Sequence, residues 1–301
     1  MKCPLCESTK INKLDTINKN DLVHLYKKMT EIDFGYLITQ DIDCCECQEC
    51  KLRFFDPLVT GDEKFYNALQ KFDWYYMDEK EEYVYAKEYI QATDKVLEVG
   101  SGKGAFAKHI TSKDYIGLDF SENAKKMAEQ NGITIENEMI QDYAEKHPNS
   151  FDVVMSFQVL EHVSDSKSFI EAKVKALKTG GKMIIAVPSE DSFLKYTTNG
   201  ILNMPPHHVT RWSDETLKYI GERYNLEVEN IYHEKVQEIH KKWFLNTFFK
   251  SAVTSNKLID VSLKNKFISK GFSLLSKFFT KKLKDEMLPN GHTVLVVYKK
   301  A

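Results

Sequence analysis

Apolar residues in this chain gather into short dense runs separated by polar, glycine-punctuated stretches. Val96-Leu97-Glu98-Val99, Tyr115-Ile116-Gly117-Leu118, Phe151-Asp152-Val153-Val154-Met155 and Met183-Ile184-Ile185-Ala186-Val187 each have the length and β-branched character of one strand. Such near-continuous runs mark strands buried on both faces, as in a parallel sheet. The pattern predicts strands near 95–99, 114–118, 133–137, 151–156, 181–187 and 225–233, and a seventh in Thr293-Val294-Leu295-Val296-Val297-Tyr298. Helical periodicity fills the segments between them. That alternation predicts an α/β fold: a doubly wound, mostly parallel seven-stranded sheet with helices on both faces. Lys178-Thr179-Gly180-Gly181 reads as a helix ending on a glycine stop. Ahead of the first strand, the acidic and aromatic segment 57–92 predicts helices over 62–71 and 78–91, and Asp21–Met29 predicts another.

The first strand leads directly into Gly100-Ser101-Gly102-Lys103-Gly104, and Ala105–Ile110 then reads as a helix. Glycine accepts positive φ and has no Cβ, so the backbone turns sharply and lets a ligand approach. A strand–turn–helix of this kind binds nucleotide-like ligands beyond the carboxyl end of the strand. Asp119, at the tip of the second strand, is suited to a ribose diol, because a carboxylate accepts two hydroxyl hydrogen bonds.

The blocks VLEVGSGKGAFA, YIGLDFSENA, FDVVMSFQVLEHV and GGKMIIAVPSE, in this order, resemble class I S-adenosylmethionine-dependent methyltransferases over residues 93–301. The resemblance implies a Rossmann-like fold whose last strand is antiparallel and lies beside the sixth. It places Glu98, Gly100, Gly102 and Gly104 around the methionine and ribose of the cofactor and Asp119 on the ribose hydroxyls. Phe120 then flanks the adenine, Gln141 or Asp142 meets its edge, and Phe157 or Gln158 meets the methionine end. It also implies a helical cap on the cofactor in 57–92, where Trp74, Tyr75 and Tyr76 are candidates to line the lid and touch substrate.

All six cysteines lie in the first 50 residues. Cys3-x-x-Cys6 and Cys47-x-x-Cys50 have the spacing of two zinc knuckles, and four thiolates make a closed, structural zinc site. The long gap between the pairs is explained by an inserted helix; Cys44 and Cys45 are competing ligands. Residues 1–56 resemble the zinc-ribbon-like module ahead of some sugar and polysaccharide-pathway methyltransferases.

An acceptor hydroxyl calls for a base near neutrality, which points to histidine. His162 follows the fourth strand. His207 and His208 stand in Pro205-Pro206-His207-His208-Val209-Thr210-Arg211-Trp212, a loop after the fifth strand, where Arg211 is a candidate to hold an anionic or hydroxyl-rich substrate. No regular ligand spacing marks these histidines as a metal set.

Composition limits the partners. The 301 residues carry a net charge of −2, which disfavours a polyanion. No apolar run is long enough to cross a membrane, and the first residues lack the apolar core of a secretory signal, so a cytoplasmic protein is expected. Residues 234–290 form a basic helical insertion; from Lys241 to Lys284 there are 11 lysines and one acid, Asp260, with phenylalanines interleaved. One reading lays this segment (241–284) on the inner face of an anionic membrane; the other packs its aromatics on the core or on a second subunit. The oligomeric state is not legible. The leading expectation is O-methylation of a sugar, nucleotide sugar or glycan intermediate. The alternatives are a tRNA or rRNA methyltransferase using the cysteine module and basic segment to bind RNA, and a non-enzymatic protein that kept the fold.

Overall fold

The computed structural model describes residues 1–72, 78–253, 257–284, 286 and 288–301. The chain begins with β1 (Ile11–Ile17), α1 (Lys19–Thr30), β2 (Ile42–Cys47) and β3 (Arg53–Asp56). Helix α1 fills the gap between the cysteine pairs. It starts at Asn18, whose side chain accepts from the amides of Asn20 and Asp21, and it ends at Glu31 in the left-handed conformation. Helices α2 (Glu63–Leu69) and α3 (Glu81–Ala86) follow, the latter shorter than 78–91 because it tightens into a 3₁₀ turn at Lys87–Tyr89. Trp74, Tyr75 and Tyr76 lie outside the described residues.

The main sheet then builds from β4 (Lys95–Val99), β5 (Asp114–Leu118), α4 (Glu122–Glu129), β6 (Ile135–Glu136), α5 (Ile140–Lys146), β7 (Phe151–Phe157), α6 (Ser166–Ala176) and β8 (Leu177–Pro188). A two-residue strand, β9 (Thr210–Arg211), precedes α7 (Asp214–Tyr224), β10 (Leu226–Lys235), α8 (Lys241–Ser251), α9 (Leu263–Thr280) and β11 (Asn290–Lys300). The sheet order is β10-β11-β8-β7-β4-β5-β6. Strand β11 runs antiparallel to both β8 and β10, and the pairs among β4 to β8 are parallel. Seven strands, with the last inserted antiparallel between the fifth and sixth of the sheet, match the expected class I architecture.

Alternate residues of the central strands fill two cores. Val96, Val153, Met155, Ile184 and Leu295 pack on one face, and Leu97, Val154, Ile185 and Val296 on the other. Reversals of strand order on either side of β4 and β7 leave a crevice at their carboxyl ends.

Two local expectations change. The residues after Gly104 form a single 3₁₀ turn, Phe106–His109, because the chain must reach β5 at Asp114 and a longer helix does not fit. The glycine pair does not stop a helix. Helix α6 already ends at Ala176, and Gly180, at φ +76°, makes a bulge that shifts the β7–β8 register between Phe151 and Val153.

The second sheet has the order β1-β2-β3-β9. Its fourth strand is the Thr210–Arg211 segment of the histidine loop, paired antiparallel to Arg53 and Phe54. The N-terminal module is therefore completed by residues from the middle of the chain.

Candidate active site at the carboxyl edge of the main sheet

A cavity of about 1530 Å³ opens over the carboxyl ends of β4, β5 and β7. One end is the glycine turn. Gly100, Gly102 and Gly104 all have positive φ, and a Cβ on Gly100 would lie 2.4 Å from Val159 Cγ2, so only glycine fits there. Asp119 clasps this turn to the tip of β5: one carboxylate oxygen accepts from the Gly102 amide at 2.7 Å and the other from the Ser121 amide at 2.8 Å. Ser121 caps α4, accepting from the Ala124 amide. Glu98 is buried, accepts from the Tyr115 hydroxyl at 2.6 Å, and is pushed up to about 8 by burial. Gln141 lines the cavity with its Nε2 on Ser168 Oγ and its buried Oε1 without a hydrogen-bond partner. Phe120 is exposed on the rim, while Phe157 packs on Tyr83 and Phe106. Gln158, in the left-handed region at φ +56°, reaches Glu82 and Thr293.

At the other end the structure brings His162, His207 and His208 together, with ligand atoms within 4.8 Å of one another. His207 and His208 stack at 4.4 Å between ring centroids, and His162 meets both edge-on. Each Nδ1 faces an oxygen: His162 that of the His207 carbonyl at 2.6 Å, His207 that of the Leu202 carbonyl at 2.8 Å, and His208 the Asn203 Oδ1 at 3.1 Å. Those oxygens only accept, so each Nδ1 carries the proton and each Nε2 presents a lone pair. Burial holds His162 down at about 4 and His207 at about 3, and pushes His208 well below the ordinary imidazole range. Glu161 lies against this set, 3.8 Å from His162 Nε2 and 4.0 Å from His208 Nε2. It is 1% exposed, neither carboxylate oxygen has a hydrogen-bond partner, and burial pushes it up to about 8.

A family model described as "Methyltransferase domain" matches residues 70–231, more than half of the chain. The chain belongs to the methyltransferase-domain family. Among curated relatives, a ubiquinone biosynthesis O-methyltransferase of Thiobacillus denitrificans is 38% identical over 98 residues, covering 30% of this chain and 42% of the relative. One of the same description from Klebsiella pneumoniae is 30% identical over 159 residues, 44% of this chain and 66% of the relative. The match thus spans between 42% and 66% of the length of these relatives. A solved S-adenosylmethionine-dependent methyltransferase of Archaeoglobus fulgidus overlays 73% of this chain and 91% of its own, at 20% identity and TM-score 0.49.

Within this methyltransferase domain most of the residues expected to hold cofactor line one cavity: Glu98, Gly100, Gly102, Asp119, Phe120, Gln141, Phe157 and Gln158. Gly104 shapes the turn from behind, against Ile133. Asp142 does not belong to the site; it sits in the first turn of α5, exposed and facing away, because Gln141 takes the inward position. Arg211 is a second correction. It is buried outside the cavity, its guanidinium donating to the Asn203 carbonyl and lying over the Phe55 ring. Because Asn203 also holds His208, Arg211 fixes the histidine loop rather than a substrate. Glu82, Glu234 and Tyr66 line the cavity as well. No motif marks them; each lies in a polar, charged stretch where nothing singles it out from its neighbours.

Cys3, Cys6, Cys47 and Cys50 also converge, with Sγ atoms within 4.8 Å and the Cys3–Cys50 and Cys6–Cys47 pairs at 3.4 Å. Four free thiols at such spacing fit one tetrahedral ion. Cys44 and Cys45 stand apart, raised to about 11 by burial in apolar surroundings, and are not part of the set.

Proposed function

We propose that the chain is an S-adenosylmethionine-dependent O-methyltransferase acting on a small hydroxylated acceptor. The observation that carries this reading is the continuous cavity from the glycine turn to the histidine cluster. Its volume exceeds the roughly 300–1,000 Å³ of a single-ligand pocket, so it has room for a cofactor and an acceptor together. Gly100, Gly102, Glu98, Asp119 and Gln141 would hold the cofactor: the carboxylate of Glu98 suits its cationic end, Asp119 the ribose, and the unpartnered Gln141 oxygen the adenine amine. When bound, S-adenosylmethionine supplies an electrophilic methyl whose sulfur keeps the bonding pair as the acceptor oxygen's lone pair takes the carbon. The chain's own part is to orient that oxygen and accept its proton. The group formed by Glu161, His162, His207 and His208 is placed for both. No histidine of the set is tuned to neutrality, so none of them is singled out as the base. Oxygen as the acceptor atom is supported by the names of the curated relatives. A sugar or glycan is supported by nothing beyond the N-terminal resemblance, and no observation favours RNA. The cysteine set would bind structural zinc.

Titration of S-adenosylmethionine into the protein by calorimetry tests the first half. Binding of one equivalent, lost in Gly102→Asp, is expected; no heat at millimolar cofactor would end the reading. Incubating the loaded enzyme with candidate acceptors and seeking a product heavier by one methylene tests the second half.

Among the described residues no helix is long and apolar enough to cross a membrane. For the basic insertion we favour contact with a membrane surface. Helix α9 leaves Phe267 and Leu274 more than 70% exposed and Phe278 62% exposed, beside Lys266, Lys270, Lys277 and Lys281. Exposed aromatic groups among lysines match an anionic interface.

A further inference from the structure

We propose that His162, His207, His208 and Glu161 form a divalent-metal site at the acceptor end of the cavity, and that the acceptor presents two adjacent oxygens to that ion. The inference rests on the functional reading above and names what the histidine cluster does within it.

Three observations carry it. The first is convergence: the histidine ligand atoms lie within 4.8 Å of one another, and a Glu161 oxygen lies 3.8 and 4.0 Å from two of them. Bonds of about 2.0–2.2 Å around one ion bring such donors to roughly 3–3.6 Å apart, so modest side-chain movement closes the set. The second is orientation. Every Nδ1 is committed to an oxygen, which leaves every Nε2 unprotonated, and those of His162 and His208 face Glu161 Oε1. Metal-bound imidazoles are fixed in this way by their outer partners. Asn203, whose side chain holds His208, is itself anchored by the Arg211 guanidinium donating to its backbone carbonyl. The third is an unmet demand. Neither buried Glu161 oxygen has a hydrogen-bond partner, and Oε1 faces the Nε2 atoms of His162 and His208 rather than N–H groups. A hydrogen bond cannot bridge 3.8 Å. Acceptors crowded in a buried place are stable around a cation.

Donor chemistry narrows the ion. Three imidazoles and one carboxylate suit Zn²⁺, Fe²⁺, Co²⁺ or Mn²⁺ rather than Mg²⁺ or Ca²⁺. Unlike the four-sulfur set, four donors leave a six-coordinate ion two further positions, and because all four side chains line the cavity those would open towards the acceptor. A vicinal diol or a catechol fills two such positions. The sequence hid the site because its ligands are two adjacent pairs, 161–162 and 207–208, joined only when β9 and the loop before it fold back against Glu161. The Val209 amide donates to the Glu161 carbonyl at 2.8 Å.

The test is titration of Co²⁺ into the chelator-stripped full-length protein, followed by absorption and metal content. The expected result is a Co²⁺ per chain that binds without thiolate charge-transfer absorption, besides any held by the cysteines. Proton NMR of this wild-type species should show three strongly shifted, exchangeable imidazole N–H signals. Glu161→Gln and His208→Gln should each weaken that binding at least tenfold while the thiolate band and S-adenosylhomocysteine binding persist. Adding catechol should change the visible spectrum of the second Co²⁺, and phenol should not. Absence of a thiolate-free Co²⁺ in the wild type, or of shifted imidazole signals, overturns the site; identical responses to catechol and phenol overturn the paired-oxygen acceptor. Failure of these tests with cofactor binding intact sinks this inference alone, whereas failure of cofactor binding sinks the methyltransferase reading beneath it.

Discussion

Glu98 stands two residues before Gly100 with the Tyr115 hydroxyl donating to it and burial raising it to about 8. At pH 7 it is largely protonated in the free protein. A cation placed beside it favours the carboxylate, so cofactor binding must expel a proton, and affinity rises with pH up to about 8. Calorimetry at pH 7 in buffers of different ionisation enthalpy should report close to one proton released. Glu98→Gln should bind more weakly and release none; equal release in both would refute the assignment. Lys173 illustrates the opposite sign. It is fully buried, donates to Ser156 Oγ at 2.7 Å, and is lowered well below the ordinary lysine range by burial. The unfolded chain takes up a proton there that the folded chain refuses, so stability at this site is lost as pH falls below about 10. Lys173→Met should stabilise by roughly 1–2 kcal/mol at pH 7, as apolar replacement of buried charge-bearing groups often does. It should also flatten the dependence of stability on pH between 7 and 9. A lower melting temperature would show that the Ser156 contact outweighs the burial cost.

At the scale of elements, α9 departs most from the rule that a helix buries one face. It packs on α8 through Phe272 and Phe279 against Phe249, yet its other aromatics face solvent. Sedimentation with vesicles containing anionic phospholipid should recover the protein, neutral vesicles should not, and salt should weaken the contact. Replacing Lys266, Lys270, Lys277 and Lys281 with glutamate should abolish it; retention on neutral vesicles at unchanged strength would exclude the electrostatic part. Elements also explain what was legible. Val96, Leu97 and Val99 followed by Gly100 declare a strand and turn within a few residues, so the cofactor end of the cavity could be read locally. Strand β9 has two residues and no pattern of its own; only pairing with Arg53 and Phe54 defines it. The meeting of Glu161 with His208 depends on that pairing and on the loop before it, so the acceptor end was legible as separate candidates and not as one group. Arg211 was misread for a related reason: one partner, Phe55, comes from a distant stretch, and the other, the Asn203 carbonyl, is met only when the loop folds back on itself.

Across the whole molecule, the N-terminal residues form the back wall of the histidine loop. The Tyr26 hydroxyl donates to the carbonyls of Ile201 and Met204, the Gly61 amide to the Pro206 carbonyl, and the Phe55 amide to the Val209 carbonyl. Phe65 and Tyr66 pack on His207. Cys47→Ser with Cys50→Ser, or a chelator acting on any ion the four thiols hold, should therefore lower the melting temperature and reduce methyl transfer at least tenfold. Cofactor affinity, built on the far side of the cavity, should change little. A variant that keeps full turnover would show that the four thiols matter only to themselves. This arrangement predicts that thiol chemistry at one end of the molecule would reach only the histidine half of the cavity. Oxidants or metal starvation acting on Cys3 and its neighbours would leave a protein still loaded with methyl donor and unable to spend it.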